Sequence, residues 1–214
     1  MEFPYIGKLI SENQFDAIYH EHFRYFSFSV VQDIFHNNGL HIFDVEELPT
    51  HGGSLRIFAQ HDEFQGREVN AAVAQLVRQE HQDGLRSMEK YLGFKVRVEE
   101  IKKQLLAFLI SARNRGKQVA GYDAPGKGNT QLNYCGITTD LLKYTVDRNP
   151  YKQGAYTPGT HIPVFAPQKT EETRPDYILI LPWNLKAEIM ETNAIARTWG
   201  CKFVTPIPEV TVHE

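Results

Sequence analysis

What this chain lacks narrows its class before anything it contains does. No apolar run approaches the roughly 20 residues that a membrane-spanning helix needs. No basic-then-apolar pattern opens the sequence, so a secretory leader is not expected. Formal charge is close to balanced, at −3, so neither nucleic acid nor an anionic membrane is an expected partner. Cysteine is scarce. Cys135 and Cys201 lie far apart in sequence and read as reduced packing residues of a cytoplasmic protein. Two thiols alone do not make a structural zinc site. No internal repeat of solenoid period and no low-complexity segment is present. What remains is an ordinary globular composition over 214 residues, enough for one large domain or two small ones.

Three zones are distinguishable. In the first, Ile6 to Phe15 is expected to make a short helix, and a polar-aromatic loop follows. Ser29 precedes apolar residues at helical spacing, and Asn38-Gly39 closes that helix. Residues 40–45 and 54–59 are strand-like and are joined through residues 49–53, which predicts an antiparallel pair. In the second zone Val69, Val73, Leu76 and Val77, then Val98, Ile101, Leu105, Leu109 and Ala112, recur at helical spacing among charged residues. This predicts a helical connector with a break near Leu92-Gly93. In the third zone strands are expected at residues 119–123, 144–147, 162–165, 177–181 and 202–205. Residues 124–130 are expected as a loop before a short helix over 132–135. Asn184 is expected to cap a helix running to about Thr198. Strands alternating with helices predict an α/β fold with a Rossmann-like parallel sheet and crossover helices.

Tyr19, His20, Glu21 and His22 form the densest cluster of proton-handling groups. Imidazoles titrate near neutrality, so such a run suits acid–base work, with one His taking a proton while a neighbour donates to a developing oxyanion. The His-x-His spacing also suits a metal, with His51 or His61 as a third ligand. The bland alternative is a histidine-rich surface loop. A second constellation is the glycine-rich turn of residues 121–130. Free amides at a helix start favour phosphate, and Lys127 adds charge. Its glycine spacing is neither the dinucleotide fingerprint nor a P-loop. Asp147, ending the next strand, lies where a ribose-binding carboxylate is often found. Simple turn chemistry would explain both. Residues 149–163 form a loop too long for a minimal crossover, and such loops often build binding sites. Trp183 reads as a core residue.

Together, residues 14–27, 51–56, 121–133, 144–163 and 175–185 resemble the C-terminal part of the S-adenosylmethionine-dependent nucleotide-sugar C-methyltransferases. The resemblance runs over essentially the whole chain. It implies that residues 1–62 are the C-terminal remnant of a class I methyltransferase domain carrying the Tyr-His-Glu-His loop. Residues 63–116 would be the connector and residues 117–214 the Rossmann-like C-terminal domain. The family also has a Cys-rich zinc domain and a glycine-rich turn that binds S-adenosylmethionine, and this sequence has neither segment. The chain is therefore expected to be a C-terminal fragment, the substrate-side part of such an enzyme and inactive alone: either a deliberately cut piece, a truncated reading frame, or half of a split enzyme whose N-terminal half is supplied by another chain. The implied reaction removes a proton next to the ketone of a nucleotide-linked keto-deoxysugar, and the enolate then attacks the methyl sulfonium. By similarity His22 is the base, Tyr19 holds the substrate and steadies the enolate, and Glu21 and His20 orient neighbouring groups. No metal is required. Lys127, Gly126, Asn129, Tyr151 and His161 are the implied substrate-binding residues. The competing expectation is a non-catalytic nucleotide or nucleotide-sugar binding domain.

Overall fold

A computed structural model describes residues 1–64 and 66–214. Packing divides the chain into two units. One comprises Met1–Gln14 and Glu21–Arg97, the other Phe15–His20 and Val98–Glu214.

The first unit is built on a three-stranded antiparallel sheet, β1 (Glu2–Pro4), β2 (Leu40–Leu48) and β3 (Ser54–His61), with β3 in the centre. The expected β2–β3 pair is present, in register from Leu40 opposite His61 to Leu48 opposite Ser54, with an irregularity between Ile42 and Asp44. The short first strand was not anticipated, because three residues ending in proline carry no readable alternation. Helix α1 spans Ile6–Ser11, shorter than expected, and a separate 3-10 turn covers Phe15–Ala17 in the second unit. Helix α2 (Phe28–His36) is capped by Ser27, whose hydroxyl accepts from the Val30 amide, rather than being preceded by Ser29.

Helix α3 (Ala71–Gln82) ends at Gly84, not near Leu92-Gly93. Gly84 adopts φ 73° and the Leu85 amide donates back to the Glu80 carbonyl, a left-handed helix stop for which glycine is suited. Gly93 instead lies inside the uninterrupted α4 (Met88–Asn114). A lone glycine costs a helix only about 1 kcal/mol, too little to end one that has a buried stripe. α4 contributes its residues to Arg97 to the first unit and from Val98 to the second.

The second unit is a Rossmann-like α/β domain. Strands β4 (Val119–Tyr122), β5 (Thr145–Val146), β6 (Val164–Phe165), β7 (Tyr177–Ile180), β8 (Lys202–Thr205) and β9 (Thr211–His213) form one sheet in the order β6-β5-β4-β7-β8-β9. All neighbours are parallel except β9, which runs antiparallel to β8. Both faces are covered. Val119, Leu179, Leu181 and Val204 pack with Leu105 and Leu109 of α4 and with Leu132. Ala120, Tyr122, Ile178, Ile180 and Phe203 pack on the opposite face with Ile189. Alternate residues of continuously apolar strands thus feed two cores, the pattern of a doubly covered parallel sheet. Cys135 and Cys201 are buried in these cores as free thiols.

Two local expectations fail here. The turn after β4 is short, because helix α5 spans Gly126–Cys135 and so takes in Gly126, Lys127 and Asn129. Asn184 caps nothing. It lies inside a 3-10 turn (Trp183–Leu185), followed by α7 (Lys186–Thr192) and a second 3-10 segment (Ala194–Trp199). Between β6 and β7 lies the six-residue α6 (Gln168–Thr173), whereas the β5–β6 connection is the long loop of residues 147–163. Among the described residues no helix is long and apolar enough to cross a membrane.

Candidate functional site

The run of residues 19–22 is divided between the units: Tyr19 and His20 belong to the second, Glu21 and His22 to the first. In the first unit His22 and Glu21 line a solvent-open cavity of about 680 Å³. Its wall is apolar at Phe3, Pro4, Phe23 and Phe26, and polar at Arg24, Glu2 and His51. The His22 and His51 rings meet edge to face, 6.4 Å apart between centroids and at 90°. His51 is carried by the turn between β2 and β3. That turn is held from below: the buried Gln14 side chain donates to the Gly52 carbonyl at 2.6 Å, and Thr50 donates to Glu2 at 3.0 Å. Arg56 also donates to Glu2 at 3.0 Å, and these two hydrogen bonds hold the Glu2 carboxyl below the usual range. An imidazole facing a partly apolar, partly polar cavity can accept a proton from a bound molecule. Among the described residues no three His, Cys, Asp or Glu side chains converge as a metal-binding group.

In the second unit the 3-10 turn of Phe15–Ala17 carries Tyr19 onto α5. The Phe15 and Tyr134 rings are 5.1 Å apart. A Cβ on Gly126 would lie 2.9 Å from the Tyr19 ring, so glycine at the start of α5 is what lets Tyr19 lie there. Beneath it is a buried polar group. Asp16, fully buried, accepts from the Trp183 indole at 2.8 Å, and the Lys127 ammonium lies 5.3 Å from the Trp183 ring centroid. Burial pushes Asp16 up to about 6 against the opposing charge of Lys127, and burial lowers Lys127 in turn. Lys127 is therefore engaged with the interior, only 8% exposed, although it stands in the first turn of α5.

The loop after β5 is ordered by Asp147. Its carboxylate accepts from the Asn149 amide at 2.8 Å, the Ala124 amide at 3.1 Å and the Lys152 ammonium at 2.7 Å. Asp123, left-handed at φ 70°, lies beside it and is pushed up to about 6 by burial and by its hydrogen bond with Asp147. Burial also acts to raise Asp147, but hydrogen bonds from Asp123, Lys152 and the Asn149 amide outweigh it and lower the pKa. Above this cluster a cavity of about 240 Å³ is lined by Asn129, Tyr151, Lys152, Tyr156 and Thr157. Tyr151 is 94% exposed, an aromatic ring on the surface with little protein around it.

Of the five substrate-binding residues expected from the sequence, this cavity gathers Asn129 and Tyr151. Gly126 faces Tyr19, Lys127 faces Asp16, and His161 is exposed in a turn at φ 53° outside the cavity. Sequence reasoning passed over Asp16 and Arg24, and considered His51 only as a metal ligand. The Gly52-Gly53 pair after His51 was the available signal, since two adjacent glycines announce a turn of unusual backbone geometry.

Comparison with known proteins agrees with this architecture. The family described as the C-methyltransferase C-terminal domain matches residues 49–208. The chain is 36% identical over 212 residues to the C-methyltransferase NovU of Streptomyces niveus. The alignment covers 99% of this chain and 50% of that protein, so the chain spans about half the length of the curated relative it matches.

Proposed function

The chain belongs to the C-methyltransferase family, and from that premise we propose that it carries the proton-removing part of a carbon methylation on a nucleotide-linked keto-deoxysugar. His22 is the base. Its imidazole takes the proton from the carbon beside the ketone, and the C–H electron pair moves toward the carbonyl oxygen to give an enolate. An imidazole is a weak base toward carbon, so the reaction needs a hydrogen-bond donor at that oxygen. Tyr19 is assigned to hold the substrate and to serve as that donor, with Glu21 and His20 orienting neighbouring groups. The nucleotide is held by the second unit, through Asn129 and Tyr151 in the 240 Å³ cavity. The observation that carries this reading is the placement of His22 and Glu21 on one 680 Å³ cavity.

Methyltransferases of this family depend on S-adenosylmethionine in general. The glycine-rich turn of the second unit does not fit that group. A Cβ on Gly126 would meet Tyr19 at 2.9 Å and one on Gly128 would meet Leu181 at 2.9 Å, so these glycines make room for the protein's own side chains. The carboxylate where a ribose would bind, Asp147, is already engaged by Lys152 and two backbone amides. No step through the methyl donor is therefore assigned to these residues.

Proton removal can be tested without methyl transfer. The purified chain is incubated in D2O with a thymidine diphosphate-linked 4-keto-6-deoxyhexose, and deuterium entering beside the ketone is followed by NMR. The chain should accelerate exchange, and His22→Gln should lower it by about 100-fold or more, the usual contribution of a positioned base. Binding of the sugar nucleotide with no exchange above background would instead identify a non-catalytic binding domain.

A further inference from the structure

His51 holds a backbone conformation that is uncommon for a residue other than glycine. Its φ is 57°, and the following Gly52 and Gly53 are at 91° and 130°. The turn therefore contains three left-handed residues in succession, and two of the three are glycine, for which the conformation carries no steric cost. At position 51 glycine or asparagine would meet the same turn with less strain than histidine. The strain is maintained by the surroundings: Gln14 donates to Gly52 O at 2.6 Å, the Tyr5 amide donates to Gly53 O at 3.0 Å, and the Ser54 hydroxyl donates to Thr50 O at 3.1 Å. Residues held in this way cluster at active sites and ligand clamps. The side chain is not there for the core, because His51 is exposed and its ring faces the cavity beside His22.

We infer that His51 is a further substrate-contacting residue, whose ring N–H donates a hydrogen bond to the carbonyl oxygen, in addition to that assigned to Tyr19, as His22 removes the neighbouring proton. The inference rests on the assignment of His22 as base. A ring 6.4 Å from the His22 ring, on the same cavity, can reach one atom of a small carbonyl compound while His22 reaches the next. As His22 gains a proton and the C–H bond breaks, negative charge builds on the oxygen. A donor already fixed in place at that oxygen needs no rearrangement to stabilise it. His51 gains and loses no proton in this step. The turn supplies the fixing: the hydrogen bonds on both sides of His51 hold the backbone from which its ring projects.

The deuterium-exchange assay with the same sugar nucleotide distinguishes the possibilities, using His51→Gly, His51→Asn and His22→Gln in the full chain. His51→Gly relieves the backbone strain and should melt no lower than wild type, yet its exchange turnover should fall by about 100-fold, with KM changed less than about threefold. A purely structural residue would not separate these readouts. His51→Asn tolerates the left-handed backbone and keeps an N–H donor on a shorter arm, so it should recover part of the loss. Wild-type turnover in His51→Gly, with His22→Gln inactive, overturns the role of His51 and leaves the base assignment standing. Equal losses in His51→Gly and His51→Asn overturn the hydrogen-bond role. Exchange undiminished in His22→Gln, or absent in the wild-type chain, overturns the base assignment and this inference with it.

Discussion

Replacing Glu80 with alanine should unfold the start of helix α2, and with it the support of the His22 loop. Glu80 is a carboxylate only 1% exposed, reaching from α3 to the N-terminus of α2. One oxygen accepts from the Phe28 amide at 2.5 Å and the other from the Ser29 amide at 2.7 Å. These are first-turn amides that have no partner inside the helix, at its positive end. Ser27 takes a third amide, that of Val30, at 3.3 Å. Burial, and next the charge of Glu80, push the Tyr5 phenol above its usual pKa, so the carboxylate also has a buried neighbour in β1's continuation. A hydrogen bond to a charged group is worth about 1.5–3 kcal/mol, so two lost together amount to about 4 kcal/mol. Glu80→Gln keeps the shape but presents a donor to one of the two amides, and should cost about half as much. Urea denaturation followed by circular dichroism reads the loss as a midpoint lowered by roughly 2 M if m is near 2 kcal/mol/M. Hydrogen exchange of the Phe28 and Ser29 amides reads it locally. A Glu80→Ala variant within about 1 kcal/mol of wild type, with both amides still protected, would refute this account.

Other expectations follow from the second unit. Asp16 is raised from 3.8 to about 6, chiefly by burial, so between those values the folded state binds more protons than the unfolded state and stability falls as pH rises. A shift of that size corresponds to on the order of 3 kcal/mol across the window. Asp16→Asn removes that share, so the stability of wild type relative to Asp16→Asn should fall from pH 4 to pH 7; parallel urea-midpoint curves for the two proteins would contradict it. Gly128→Ala puts a Cβ 2.9 Å from Leu181 and 3.1 Å from Pro125. It should cost about 1–3 kcal/mol by overpacking. Gly93→Ala, where the nearest atom is the far end of Arg97 at 3.7 Å, is the control. There the helix should gain up to about 1 kcal/mol. Thermal melting of the two variants should shift in opposite directions.

The elements legible in the sequence are those whose pattern and packing agree. Strands β4 and β7 are unbroken apolar runs because both their faces are covered. The β2–β3 pair is set by the turn chemistry between them. The errors fall where two local signals compete. Gly84 and Gly93 look alike in sequence, but only Gly84 is followed by a residue, Leu85, that is buried as the chain reverses. Pro125-Gly126 reads as a loop, yet proline just before the first helical residue is compatible with a helix start, and α5 begins at Gly126. β9 is three residues long and exists through pairing with β8, a long-range partner that no window reveals. The cavity that forms the candidate site was foreshadowed in the same partial way. His22 and Glu21 stood out by composition. His51 is 29 positions away from His22 and meets it only because Gln14 and the β1 segment fix the turn that carries it.

The most instructive departure is at the end of β5. A carboxylate there is the usual mark of a ribose site in a Rossmann sheet, because the strand ends beside the crevice where a nucleotide would lie. Asp147 occupies that position but spends its oxygens on the protein: two backbone amides and Lys152. Asp123, one residue past the end of β4, shares a hydrogen bond with it, and Lys152 approaches Asp123 as well, at 3.8 Å. A ribose hydroxyl would have to displace a charge-assisted hydrogen bond to reach the carboxylate, and a neutral hydroxyl makes the weaker of the two bonds. The fold therefore retains the topology of a cofactor-binding sheet while its acidic residue orders the loop of residues 149–163. That loop, with Asn129, builds the adjoining 240 Å³ cavity. The cavity of this unit is thus lined mainly by the loop that the strand-end carboxylate holds in place.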